Sequence, residues 1–379
     1  MHSSLPVKPR IRTYFDIIFM EDSQCQMRAG DDTVLIFRGR TVSELFSDLF
    51  RHLDGSLTVT ELSERFKDRI STGDLLTILS RLHAEGILEE GAQLTPPELT
   101  PTECDFNSAQ IQFFSHFPGN KYILQKLLKQ ARVAVVGLDA LGTATLTALA
   151  QSGISNLVGI DTRSPSHDSD RPRERSATTD IPMNEIIAHL PRVNPHVNFS
   201  GINEFPNTVE ELSEALAKAD FVIVALDKPQ PSICERINKY CLGKNMAWMT
   251  CGCLNSIEAV VGPLFVPKQT CCYKCYEMRI SSNIDRYQEH TAFVEFLRRK
   301  EGQTADYGYL ATYPAIIGNL VVLEAIKHLT QFVSPEIYGA VCCLDLLTLQ
   351  SQVHEVLKLP RCPVCSAAQD LPPKAFWSR

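Results

Sequence analysis

No apolar run in this 379-residue chain approaches the ~20 residues that a membrane-crossing helix needs. The longest, such as Phe221 to Leu226 and Leu320 to Leu323, are far shorter. The first ten residues carry proline and lysine where a secretory signal would have its apolar stretch, which points to a cytoplasmic protein. Positive charge is in short supply. The 37 Lys and Arg against 44 Asp and Glu leave a net charge of −7, which argues against nucleic acid and against a membrane surface as partners. Internal repeats and long low-complexity tracts are also missing. What is present is 44% hydrophobic and 21% charged residues over a length that suits two or three packed domains. Thirteen cysteines, an odd number without an export signal, predict thiolate ligands or buried thiols rather than a disulfide framework.

Residues 1–92 read as one small domain. Tyr14 to Met20, Gln24 to Ala29 and Thr33 to Arg38 have the β-branched and aromatic character of short strands. Thr41 with Glu44, Thr58 with Glu61, and Ser71 with Asp74 each match the pattern in which a hydroxyl and an acid three residues on cap a helix start. Leucines at helical spacing follow, including Leu75, Leu79 and Leu82, and Ile87 to Glu89 suits a last strand. The sum is a winged helix with its strands first. Such folds often bind DNA, but residues 1 to 90 hold 11 basic against 15 acidic side chains, so peptide docking is the better reading. An exposed strand presenting Val34, Ile36 and Arg38 beside the helix of Leu75, Leu79 and Leu82 would accept an extended peptide by strand addition. Gln93 to Ser108, with Pro96, Pro97 and Pro101, reads as an extended linker.

Residues 109–379 alternate strand and helix. Arg132 to Gly137, Leu157 to Asp161, Phe221 to Leu226 and Ala247 to Thr250 are strands, separated by helices near 141–151, 184–190 and 232–240. A mostly parallel sheet of Rossmann type with helices on both faces is the expected α/β solution. The first strand-to-helix turn runs from Gly137 to Gly142, where glycines let backbone amides approach phosphate oxygens. Asp139 is out of place there, because its carboxylate at ~4 Å from a phosphate costs about 1 to 4 kcal/mol. Asp161 ends the next strand, where an acid either holds a ribose hydroxyl or caps a turn.

The strongest chemical signal is a pair of Cys-x-x-Cys turns, Cys272 with Cys275 and Cys362 with Cys365. Four thiolates in two such turns suit a closed, structural zinc site, favoured over a redox pair or unrelated buried thiols. Cys251, Cys253, Cys271, Cys342 and Cys343 lie in apolar contexts and read as core.

The order of these parts resembles the ThiF/MoeB/HesA family, relatives of the ubiquitin-activating enzymes that adenylate a carboxyl terminus. The resemblance covers roughly residues 108 to 366. It rests on Arg132-Val-Ala-Val-Val-Gly137, Asn194-Pro195, Ala225-Leu226-Asp227, the late helix Gly318 to Lys327 and both cysteine knuckles. It implies that Asp161 holds ribose, that Arg173 is the following arginine if one residue is inserted, and that Asp227 is a magnesium ligand. Four positions depart from the family. Asp139-Ala140 replaces its glycine pair, Pro182 its lysine, and Ala109 the arginine before Gln110-Ile111. Loss of cationic contacts to a phosphoryl group costs orders of magnitude in rate, so the pocket reads as degenerate towards ATP and magnesium.

A winged helix ahead of a degenerate ThiF-like domain resembles, in particular, the leader-peptide-binding partner proteins of thiazole- and oxazole-modified microcin pathways. These carry an N-terminal recognition element for ribosomally made, modified peptides (RiPPs). The resemblance implies capture of a precursor's leader peptide for a YcaO-type cyclodehydratase in bacteriocin-like biosynthesis, with raised effective concentration as the physical benefit. It also implies a homodimer. The competing reading is an ATP-dependent ThiF-like enzyme that itself adenylates or dehydrates the peptide. Nicotinamide chemistry is disfavoured, because Asp139 stands where a glycine would meet the pyrophosphate.

Overall fold

The computed structural model describes residues 5–20, 24–39, 42–91, 95–117, 119–162, 182–253, 257–300 and 308–366. Two compact units divide the chain, Met1–Leu124 and Gln125–Arg379.

In the first unit β1 (Pro9–Ile11) precedes β2 (Asp16–Met20), β3 (Gln24–Ala29) and β4 (Asp32–Arg38), and helices α1 (Val42–His52), α2 (Val59–Phe66) and α3 (Thr72–Ala84) lead to β5 (Leu88–Glu90). Strands β2, β3 and β4 form an antiparallel sheet in that order, and β1 pairs with β5. The helix starts follow from capping. Thr58 accepts from the Glu61 N–H at 3.2 Å while Glu61 accepts from the Thr58 N–H at 2.7 Å, and Ser71 accepts from the Asp74 N–H at 3.1 Å. Thr41, the third expected cap, lies outside the described residues. Alternation in β3 sends Cys25 and Met27 inward, where they meet Leu49, Leu53, Leu62, Leu75, Leu79 and Leu82 in one apolar core.

The proline-rich stretch is not extended throughout. Pro101 opens α4 (Pro101–Phe106), with Thr100 and Glu103 forming a further reciprocal cap, and α5 (Ser108–Phe114) follows directly. Pro at the first helical position gives up an N–H that would have no partner there, so proline starts this helix instead of preventing one. Helix α6 (Lys121–Gln130) begins in the first unit, where the Lys121 ammonium pairs with the Glu89 carboxylate at 3.1 Å.

The second unit carries the α/β fold. Its elements are β6 (Arg132–Val136), α7 (Ala140–Gln151), β7 (Asn156–Ile160), α8 (Met183–Val193), β8 (Asn198–Ile202), α9 (Val209–Ala215), β9 (Phe221–Ala225), α10 (Pro231–Lys244) and β10 (Ala247–Cys253). They continue with β11 (Glu258–Phe265), α11 (Tyr273–Ser282), α12 (Tyr287–Lys300), α13 (Tyr313–Thr330), β12 (Ala340–Asp345) and β13 (Ser351–Glu355). One eight-stranded sheet results, in the order β13-β12-β11-β10-β9-β6-β7-β8. From β10 to β8 neighbours run parallel, and from β10 to β13 they run antiparallel. The central strands β6 and β9 are almost wholly buried, as a doubly covered sheet requires. No helix among the described residues is long and apolar enough to cross a membrane.

Candidate functional sites

The sheet order reverses beside β6, since β7 lies on one side of it and β9 on the other. A crevice at the carboxyl ends of these strands is where open α/β sheets place ligands. Gly137 leaves β6 at φ +97°, and a β-carbon there would come within 2.2 Å of the Ala225 carbonyl oxygen. A β-carbon on Gly142 would lie 1.8 Å from the Gly137 oxygen. Both glycines are therefore demanded by close backbone approach, and they press the turn, the start of α7 and the end of β9 together.

Asp161 follows β7 directly and Asp227 follows β9 after Leu226, so both leave the carboxyl ends of these strands. Asp161 is 8% exposed, and its N–H donates to the Ile202 carbonyl at 2.8 Å. Asp227 is gripped at both oxygens. Its Oδ1 accepts from the Leu141 N–H, in the first turn of α7, at 3.0 Å, and its Oδ2 accepts from the Tyr309 hydroxyl at 3.0 Å. Tyr309 was missed in the sequence, where nothing marks an isolated tyrosine far along the chain. Arg173 lies outside the described residues. A triphosphate finds little in this turn that fits it. The Leu141 amide is already given to a carboxylate, and the N-cap of α7 is Asp139.

The two cysteine knuckles meet. Cys272 precedes α11, Cys275 lies in its first turn, and Cys362 and Cys365 follow β13. Their four Sγ atoms lie within 4.8 Å of one another. Individual separations are 3.8 Å (Cys272 to Cys275), 3.7 Å (Cys272 to Cys362) and 3.5 Å (Cys275 to Cys365). Sulfurs at ~2.3 Å around a tetrahedral ion stand about 3.8 Å apart, so the cluster is already sized for a metal. Backbone N–H groups of Leu359 and Val364 point at Cys275 and Cys362 at 3.4 and 3.5 Å. The Cys272 thiol donates to Cys275, and with the Leu359 amide this draws the Cys275 thiol well below its ordinary range against the cost of burial. Cys272 is pushed up by sharing that proton and by burial. Such a crowd of sulfurs can be fully ionised only around a cation, and with four ligands supplied by the chain the site is closed.

Other cysteines behave as core. Burial pushes Cys234, Cys241 and Cys271 up to about 12, far from a nucleophile's range. Cys253, Cys342 and Cys343 are only partly buried, so the apolar-core reading does not hold fully for them.

In the first unit Ile36 is 43% exposed, Arg38 is exposed, and both belong to β4, an outer strand of its sheet. The β3–β4 register slips between Met27 and Arg28, which makes Val34 an extra residue of β4. Its side chain lies outside the described set. Leu75, Leu79 and Leu82 require a correction. All three are fully buried, 0% exposed, and pack against the sheet and the other helices, so none presents a surface to a peptide. The helix face that does reach solvent contains Leu76, at 37% exposure.

Comparison with known proteins agrees with this architecture. A model of the ThiF family matches residues 108–365. Molybdopterin-synthase adenylyltransferase of Escherichia coli K12 is 27% identical over 248 residues, covering 64% of this chain and 89% of that protein, and the Salmonella typhimurium LT2 protein matches equally. Among solved structures, E. coli MccB with ATP superposes with a TM-score of 0.64 at 19% identity over 94% of this chain and 99% of that one. PaaA gives 0.65 at 18% identity, covering 91% and 99%. With a family match over more than half its length, around the same strands, turn and cysteine knuckles, the chain belongs to the ThiF family.

Proposed function

We propose that this protein captures the leader segment of a ribosomally made precursor peptide and presents it to a YcaO-type cyclodehydratase, which forms thiazoline and oxazoline rings in a bacteriocin-like pathway. The observation that carries this reading is β4. It is an outer strand with Ile36 and Arg38 exposed at alternate positions, the form to which an extended peptide adds by main-chain hydrogen bonds. We take the first unit, with its three-stranded sheet and capped helices, to be a winged-helix RiPP recognition element acting in the cytoplasm. Val34 belongs to the same docking edge. The second unit supports it as a ThiF-type scaffold, a homodimer by analogy with the family, with zinc in the four-cysteine site. MccB, a microcin C7 biosynthetic enzyme of the same architecture, has been solved in complex with N-formylated MccA.

The test is binding of synthetic peptides that cover each short Cys-, Ser- and Thr-rich reading frame beside the gene, without nucleotide. One of them should bind the full chain, and Ile36→Asp should weaken it at least tenfold. Equal affinity for the wild type and Ile36→Asp would move the peptide elsewhere.

One observation favours a second reading, in which the protein itself adenylates or dehydrates the peptide with ATP. Asp161 and Asp227 both stand at the crevice where the sheet order reverses. Peptide-dependent pyrophosphate release by the isolated protein, lost in Asp227→Ala, would establish this reading and end the first.

A further inference from the structure

The Asp227 carboxylate has a place of its own in the fold. Helix α7 begins with N–H groups that have no partner within the helix, and such a start draws an anion. Here the anion is internal. Leu141 donates to Asp227 Oδ1 at 3.0 Å across the gap between neighbouring strands β6 and β9. The glycine contacts at 137 and 142 leave no slack by which the turn could retreat from β9.

The second oxygen is held from another direction. Tyr309 is half-buried between exposed Gly308 and Leu310, and its hydroxyl reaches Asp227 Oδ2 at 3.0 Å. This segment leads into α13, which is seated on α7. At Gly318 the two helices approach so closely that a β-carbon would lie 3.0 Å from the Thr145 nitrogen. The tyrosine is thus carried by an element fixed to the same helix whose start Asp227 caps.

The geometry points to an autoinhibitory contact: Asp227, clasped by Tyr309, serves as a built-in anion at the start of α7 and shuts the turn to phosphate. A phosphoryl group entering there would have to displace the Asp227 carboxylate from the Leu141 N–H. A magnesium ion would have to share the Asp227 oxygens with these two donors. Tyr309 is a positioning residue in this account, and its withdrawal is the event that would open the pocket. The inference deepens the proposed function by giving a reason why the second unit holds its shape without gripping nucleotide.

Calorimetry with inorganic tripolyphosphate in the absence of magnesium tests it, on the full-length, metal-loaded protein. Asp227→Ala should bind tripolyphosphate at least tenfold more tightly than the wild type, and Tyr309→Phe several-fold more tightly. Amide exchange at Leu141 should also quicken at least tenfold in Asp227→Ala. If Asp227→Ala fails to fold, Tyr309→Phe decides. Unchanged or weaker tripolyphosphate binding in the variants would overturn the inference, because a carboxylate that only ligates metal does not compete with a metal-free anion. Peptide affinity, measured on the same proteins, reports separately on the recruitment proposal.

Discussion

Leu79 separates a core role from a docking role. Its side chain is fully buried, among residues that include Cys25, Met27, Leu49 and Leu62. Leu79→Ala removes three buried carbons and leaves a cavity, at a cost of about 2 to 5 kcal/mol. A domain of this size has only about 5 to 15 kcal/mol of stability in total. With a urea slope of ~1 to 3 kcal/mol per molar, the midpoint for the first unit should fall by roughly 1 to 3 M. Ile36→Ala, at a half-exposed strand position, should change stability by no more than about 0.5 kcal/mol. Both tryptophans of the chain, Trp248 and Trp377, come in the sequence after residue 124, where the first unit ends, so fluorescence is the wrong probe. Hydrogen exchange across a urea series, read on peptides from residues 42–90, reports on the correct core. A Leu79→Ala midpoint within ~0.3 M of the wild type, about 0.5 kcal/mol on these slopes, would refute the packing argument.

Metal analysis should find one tightly bound zinc per chain. Cys362→Ala or a strong chelator should remove it and make residues 346–366 sensitive to protease, and a metal-free wild-type protein would defeat the assignment. Gly142→Ala should destabilise by about 1 to 3 kcal/mol or more, because its new carbon would sit 1.8 Å from the Gly137 oxygen. Gly243→Ala, in a helix where no described residue would lie within 4 Å of the new carbon, should be neutral or stabilising by up to ~1 kcal/mol, and equal melting temperatures for the pair would contradict this. Burial lowers the pKa of His328, whose Nδ1 has no hydrogen-bond partner among the described residues. The unfolded chain therefore takes up the proton first on acidification, and stability falls as pH drops below the ordinary histidine value of ~6.5. His328→Leu should flatten that fall in melting curves between pH 7.5 and 5.5, and an unchanged slope would remove His328 as the cause.

The parallel half of the sheet was legible in the sequence because β6, β7, β9 and β10 are continuous apolar runs joined by helices with clear periodicity. The antiparallel half was not. In β11 the apolar run Glu258–Phe265 is interrupted by Gly262-Pro263, a pair that normally signals a turn, and β13 is Ser351–Glu355, exposed at every position. Helix α4 was hidden in a proline cluster although Thr100 and Glu103 repeat the capping pattern read correctly at Thr58. The four-cysteine cluster could be read from spacing alone, since Cys-x-x-Cys fixes two sulfurs on one turn. The leucines of α3 could not, because helical spacing shows that a face is apolar without showing what covers it. The clasp on Asp227 depends on Tyr309, which only the folded chain brings near.

The central claim is that peptide is gripped by the first unit without nucleotide chemistry in the second. Calorimetric titration of the binding precursor peptide into full-length protein, with and without ATP and magnesium and with pyrophosphate followed in parallel, addresses it directly. Equal affinity in both conditions, no pyrophosphate, and loss of binding in Ile36→Asp are the expected results. Peptide binding that requires ATP, or sustained pyrophosphate release by the protein alone, would contradict the account.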